Sequence, residues 1–397
     1  MRHRRRRRIA HRTPPSCVRR RVLFNYGLGW DSTAMLLRWL LHPETRDFHL
    51  NQMIVIIAQV GEEFAGTKRL VEQIIFPLLT QHRIRTVQVA RAGPSDKDGI
   101  VVLSDTRAPS VCHTEGAWRL GDHLMRDGTA PQYANGRHFC AQRFKGWPIA
   151  KWVKQELRGR RYRSILGYHA EEPKRAAKAA DYADIQRTHE FPLIAWGWGR
   201  AEVLAYVRDV TGEEWEKSCC GFCPFTGGRV ELVERHLREP EQGARALLME
   251  LLSRSMNPRF GLYPSGKPLR ATLEAAGCVA AITQFQRMIL THEWAVYRVR
   301  RIYREKAPLV DRSVAIIATG DRQAMLDHLR ILGQTEVVGG IERVYFHRRP
   351  EGLLPSVEAF YVAAPHIIAK KEKKSFATRW HHHTDETRHG VSQIALF

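Results

Sequence analysis

A chain of 397 residues, 44% of them hydrophobic, is long enough for two domains and can bury a real core. Its longest apolar run, Met53 to Val60, falls far short of the roughly 20 residues a membrane helix needs. Seven cysteines without an apolar signal segment argue against a disulfide framework, and a net charge of +22 points to a polyanionic partner.

Residues 1–20 read as a basic arm, since ten arginines and no acid lie between Met1 and Arg21. Such a block repels itself and has little to bury, so it is either a disordered tail or an arm for phosphate backbones. Arg21 to Tyr26 then predicts a short buried strand, and Ser32 to Leu41 a helix after a glycine turn. Gln52 to Val60 and Thr86 to Ala90 predict two more strands, with a helix over Thr67 to Gln81 between them. This alternation implies a parallel sheet with helices on both faces. Gly93 to Phe139 reads as a long functional loop. Pro148 to Leu157 predicts a helix, Tyr162 to Tyr168 a strand, and Gly199 to Val210 and Arg229 to Ser255 further helices. Beyond them, Ala280 to Lys306 is helical in pattern. Ser313 to Ala318, Arg322 to Leu332 and Ile341 to His347 are expected to make a small strand–helix–strand unit, and the stretch from Lys370 is polar.

A buried strand, a glycine turn and a helix together make a phosphate cradle. Backbone N–H groups point into the turn, and the helix start adds partial positive charge. The turn here is Tyr26–Gly27–Leu28–Gly29–Trp30–Asp31–Ser32–Thr33. Its hydroxyls can donate to phosphate and its carboxylate can help hold Mg²⁺. The Walker A spacing is absent.

YGLGWDST resembles the PP-loop, usually SGGxDS. Gly29, Asp31 and Ser32 are kept, whereas Gly27 stands in place of Ser and Leu28 in place of Gly. Four further segments resemble the sulfonucleotide (PAPS) reductase-like group of the adenine nucleotide alpha hydrolase-like superfamily, in the same order. Gly61–Glu62–Glu63 with Thr67 is the first, and Cys140, Arg143, Lys145 and Pro148 as C-x-x-R-x-K-x-x-P the second. Ile165–Tyr168 leading to Glu171–Arg175, then Phe191–Leu193 before Trp196, is the third. Ser218 to Phe225, SCCGFCPF, is the fourth.

The resemblance spans roughly residues 21 to 230 and implies a Rossmann-like sheet; beyond it, the helical patterns predict a mostly helical extension. It implies an ATP pyrophosphatase-type transferase that adenylates its substrate with release of pyrophosphate. Asp31, Lys145 and Arg175 would be catalytic. Tyr26, Gly27, Gly29, Trp30, Asp31, Ser32, Thr33 and Glu62 would hold ATP and Mg²⁺.

Cys220 and Cys223 form a C-x-x-C, with Cys219 beside it and Cys140 in another matched segment. Soft thiolates at this spacing suit a 4Fe–4S cluster or Zn²⁺, with a redox dithiol or plain buried thiols as the other readings. Reductases of the group use a nucleophilic cysteine near the C-terminus, and the sequence shows none after Cys278. The expectation is therefore ATP-driven sulfur transfer to nucleic acid, DNA or tRNA, with a sulfur donor protein as partner. A small-molecule sulfonucleotide reductase and a non-catalytic nucleic-acid binder are the alternatives. The expected layout is a basic arm at 1–20, a PP-loop domain at 21–235, a helical or α+β domain at 236–370 and a polar tail at 371–397, in a cytoplasmic protein.

Overall fold

Strand and helix alternate from Arg21 onward because apolar residues fall on both faces of each early strand. In the computed structural model, the described residues are 21–131, 138–180, 184–225, 229–259, 261–263, 268–304, 311–350 and 352–384. The basic arm and the last part of the polar tail lie outside them.

The first sheet has six strands: β1 (Arg21–Asn25), β2 (Met53–Ala58), β3 (Arg85–Arg91), β4 (Ile100–Thr106), β5 (Tyr162–Ile165) and β6 (Arg187–Glu190). Their order is β4-β3-β2-β1-β5-β6. All neighbours are parallel except β3 and β4. Alternation decides which residue goes to which face. Val22 and Phe24 pack with Met53, Val55 and Ile57 under the helices Trp30–Leu41 and Arg200–Thr211. Leu23, Ile54 and Ile56 pack with Trp152 and Leu157 of the helix Trp147–Leu157 on the opposite face. Burial on both faces is what a parallel sheet requires.

Two prolines shape the helices. A wide turn, Val71–Ile75, precedes Pro77, and another, Gln142–Gly146, precedes Pro148. A proline lacks its N–H and crowds the preceding turn, and a locally widened helix accommodates both defects.

The expected loop Gly93 to Phe139 holds more structure than its composition suggested. β4 pairs antiparallel with β3 at the sheet edge, and Leu120–Arg126 is a helix. β4 is half-exposed throughout, so it carries little alternation to read.

The C-terminal region corrects the expectation of a mostly helical extension. The helix Val279–Thr291 stops there, and β7 (Trp294–Tyr303) begins where a continuous helix was expected. β7 joins β8 (Asp311–Gly320), β9 (Glu336–Val338), β10 (Ile341–His347) and β11 (Ser356–Pro365) in an antiparallel sheet of order β8-β7-β11-β10-β9. Helices Pro240–Met256 and Val279–Thr291 cover one face, and Arg322–Ile331 covers the other. The expected helix over Arg229 to Ser255 is two helices, Arg229–Arg238 and Pro240–Met256, because Pro240 starts a new one. Part of the polar tail also folds: residues 376–384 are helical, with Phe376 and Trp380 buried against β11. Among the described residues no helix is long and apolar enough to cross a membrane.

The two regions are fastened together. Glu239 accepts hydrogen bonds from the backbone N–H groups of Ala65 and Gly66, at 2.9 and 3.1 Å, and so caps the helix Ala65–Leu70 from outside.

Candidate active site

β2 lies on one side of β1 and β5 on the other, so the chain reverses its direction of winding between β1 and β5. The loops leaving the carboxyl ends of these two strands must diverge, and ligands of open α/β sheets bind in the crevice between such loops. The turn Gly27–Ser32 leaves β1 and the segment 166–172 leaves β5. They touch closely: a Cβ on Gly167 would meet Ser32 N at 3.1 Å and Asp31 Cβ at 3.2 Å. Asn25 ties the strand ends together by donating to Ser164 Oγ at 3.1 Å and to the Ile165 carbonyl at 2.9 Å.

Within the turn, Ser32 Oγ accepts from Gly27 N at 3.2 Å and donates to the Gly29 carbonyl at 3.1 Å. Thr33 is buried, with its hydroxyl 3.1 Å from the Tyr26 hydroxyl. Leu28 has a positive φ of 64°, in the left-handed region that a glycine would enter freely. A leucine there costs roughly 1–2 kcal/mol. Burial of its side chain and a hydrogen bond from Trp215 Nε1 to its carbonyl at 2.9 Å hold it. The loop thus takes at Leu28 a backbone conformation that a glycine would also take.

Asp31 is the centre of the site. Burial pushes its carboxyl up to about 6; His169, Arg175 and Lys217 pull it down, and Glu172 pushes it further up. Asp31 Oδ1, His169 Nδ1 and Glu172 Oε2 are buried and make no hydrogen bond. Buried polar atoms are normally satisfied, and the ones here have only ion-pair distances of 3.7 and 3.8 Å between His169 and Glu171 and Glu172, so the cluster is a candidate to hold a polar ligand. Arg175 is exposed, ion-paired with Glu172, and stacks over Tyr168 at 4.4 Å. Trp30 faces a cation of its own, Arg200, at 5.0 Å from its ring centre.

The late cysteine segment forms the floor. A Cβ on Gly29 would sit 3.5 Å from Ser218. Glu63 accepts from Ser218 Oγ at 2.7 Å and from Cys219 N at 3.1 Å, and it bridges to Cys220. Burial raises the Glu63 carboxyl, and the nearby Lys145 ammonium opposes that rise. Lys145 also lies within electrostatic range of Cys140, Cys220 and Cys223. It reaches this position from the widened turn Gln142–Gly146.

Glu62 is placed elsewhere. It receives Arg245 Nε and Nη2 at 2.9 and 3.0 Å and Gly121 N at 2.9 Å, and Arg245 also donates to Asp122 at 2.6 Å. This expected cofactor residue joins the two regions of the molecule, while its neighbour Glu63 faces the loop.

The four expected ligand cysteines are neighbours of unequal kind. Cys219 is buried and its Sγ accepts from Arg235 Nη1 at 3.0 Å. Burial pushes its thiol up to about 12. Burial also raises Cys140, Cys220 and Cys223, and Cys223 feels the charge of Cys140 while Cys220 feels that of Cys223. Among the described residues, no three His, Cys, Asp or Glu side chains form a group that could hold a metal ion. The cysteines gather beside the loop without forming a ready ligand set.

The structure thus brings Tyr26, Gly27, Gly29, Trp30, Asp31, Ser32, Thr33, Lys145 and Arg175 to one end of the first sheet, and it leaves Glu62 out. Sequence reasoning missed His169, Glu172, Lys217 and Glu63. Glu63 and Glu172 lay inside segments already singled out, and Lys217 immediately precedes SCCGFCPF. His169 had no signal of its own.

No family model matches the chain, and no curated protein and no solved structure matches it.

Proposed function

We propose that this chain is an ATP-dependent enzyme of the PP-loop pyrophosphatase type, which adenylates an acceptor with release of pyrophosphate in the service of sulfur transfer. The observation that carries the reading is convergence. Segments far apart in sequence, at 27–33, 63, 140–145, 167–175 and 215–223, meet at the carboxyl ends of β1, β2 and β5, around an aspartate with an unpartnered buried oxygen. A turn of backbone N–H groups with a carboxylate at the helix start suits a polyphosphate carrying Mg²⁺.

In this reading Ser32 and the backbone of Gly27–Gly29 cradle phosphate oxygens. Asp31 holds the cation, and Arg175, Lys145 and Lys217 offset charge as the α–β phosphate bond breaks. Such cations act most strongly where water is excluded. The favoured acceptor is nucleic acid, DNA or tRNA, supported by the net charge of +22. A sulfur donor protein would supply the nucleophile.

The expectation of a 4Fe–4S cluster, or of zinc, is tested separately by the absorption spectrum and metal content of anaerobically purified protein. A colourless preparation without iron or zinc removes both.

The central test is pyrophosphate release from Mg-ATP, with and without added nucleic acid. Wild type should release it, and Asp31→Ala should fall by about a hundredfold or more. Equal rates in the two proteins would overturn the assignment of the loop.

A further inference from the structure

The second sheet carries a charge arrangement that the reading above leaves unused. Arg301 of β7 and Arg312 of β8 stand directly opposite each other in the antiparallel ladder, so their side chains leave the same face. Like charges in that position destabilise a sheet. Both arginines line a cavity of about 250 Å³ between β7, β8, the 128–130 turn and the helix Pro240–Met256. Lys371 and Lys373 line it too, held there by a short antiparallel bridge between Lys371 and Val314 of β8.

Asp127 pairs with Lys371 at 3.5 Å and lies within electrostatic range of Arg312, and the acids still fall short of these cations. Asp311 is the carboxylate on the cavity wall among the described residues, and Lys373, Arg304 and Arg379 share it at 3.2, 2.6 and 3.1 Å. Arg312 donates to the backbone carbonyls of Gly128 and Asp127, and no ion pair is formed by it among the described residues. Arg301 is 5% exposed. Its Nη1 donates to Asn257 Oδ1 at 2.6 Å, and Glu358, already shared with Arg259 and the Tyr303 hydroxyl, lies 3.7 Å away. Arg301 Nε is buried and makes no hydrogen bond. Burial, with Arg301 beside it, also pushes the Arg312 guanidinium down to about 10. An anion in the cavity would offset the like-charge opposition of the two guanidinium groups, and paired guanidinium groups match the oxygens of a phosphoryl group.

We propose that this cavity binds a phosphoryl group, held by Arg301 and Arg312 at its base and by Lys371 and Lys373 at its rim. The volume leaves room for part of the molecule that carries the phosphate. The site stands in the second sheet, and its validity does not depend on the loop chemistry. The phosphoryl group can come from a free phosphorylated small molecule or from the end of a nucleic acid strand.

The experiment is calorimetric titration of the full chain at constant ionic strength. Three probes are used: inorganic phosphate, a 5′-phosphorylated oligonucleotide and its 5′-hydroxyl twin. The double variant Lys371→Ala/Lys373→Ala changes rim residues only and keeps the buried arginines, so it guards against misfolding. It should weaken binding of the phosphorylated probes about tenfold, and Arg312→Gln should weaken it further. Phosphate binding that depends on these residues supports a free phosphorylated ligand. Preference for the 5′-phosphorylated strand over its twin, lost in the same variants, supports a nucleic acid end. If no probe binds, or binding ignores these residues, or it falls with Ser32→Ala in the loop instead, the proposal is overturned.

Discussion

Asp31 and Glu62 are both buried carboxylates near the carboxyl ends of neighbouring parallel strands, yet they live in opposite circumstances. Glu62 is saturated, with three donors from Arg245 and Gly121 closing both oxygens. Asp31 keeps one oxygen without a hydrogen bond, next to a histidine nitrogen and a glutamate oxygen in the same condition. Burial raises both carboxyls, and only Glu62 has a hydrogen-bonded guanidinium to oppose it. The difference separates a carboxylate that holds the molecule together from one that the proposed function assigns to a ligand. Stability and activity should respond to the two in opposite directions.

The largest expected effect is on activity: Asp31→Ala should abolish most ATP-dependent pyrophosphate release, while Glu62 variants that fold should retain it. Next comes stability at Glu62. Arg245→Met leaves a buried carboxylate without its partner and should lower the unfolding free energy by about 3–5 kcal/mol, read from urea denaturation. A loss below the error of the fit would mean the pair is not a structural one.

Asp31 should behave in the reverse sense. Its folded value of about 6 lies above the ordinary 3.8, so the folded state binds the proton more tightly than the unfolded one. Its contribution to stability is therefore present below about pH 4 and is lost as pH rises to about 6. Asp31→Asn removes that loss and should stabilise the protein at pH 8 by about 2 kcal/mol while inactivating it. A variant less stable than wild type at pH 8 would put Asp31 in the structural class with Glu62. In wild type, kcat/KM for Mg-ATP, which reports the free enzyme, should rise with pH through about 6 as the carboxylate forms.

Two smaller effects concern residues with a positive φ, Leu28 in the loop and Arg158 at the opposite end of the sheet. Trp215→Phe leaves the Leu28 carbonyl without its donor and should cost about 1–2 kcal/mol in a thermal or urea melt. Arg158 ends the helix Trp147–Leu157 with a φ of 45°, so Arg158→Gly should stabilise by roughly 0.5 kcal/mol. An Arg158→Gly protein no more stable than wild type would show that the left-handed position is not strained.

The first sheet was legible because its signals are local. Val22 to Phe24 and Met53 to Ile57 are apolar without a break, which is how a strand buried on both faces reads, and the turn between β1 and its helix is continuous in sequence. The second sheet was not. β7 follows the helix Val279–Thr291 after only His292 and Glu293, with no glycine or proline to announce a change of period. Its three arginines, Arg298, Arg300 and Arg301, also blur the apolar alternation that would mark a strand. β11 pairs with β7 along its whole length, so a mistaken β7 hides the reason for β11.

The same contrast holds at the site. Asp31 and Ser32 belong to one short motif, whereas His169 arrives on the loop after β5 and Lys217 on the segment leading to the cysteines. Only the order of strands makes them neighbours. Glu62 and Glu63 were indistinguishable by pattern. A turn at Gly61, with a φ of 82°, sets which of the two faces the loop and which faces the helix Pro240–Met256.

The contacts made by Glu239 and Arg245 bear on how this chain can be cut. A fragment ending at residue 235 would follow the expected domain boundary, but it would strip the outside cap from the helix Ala65–Leu70 and orphan the carboxylate of Glu62. The two sheets are separate architectures fastened at several points, by Glu239, by Arg245 and by Arg312 on the 127–128 carbonyls, so the first half should travel poorly as a module, in an expression plasmid or in gene shuffling alike.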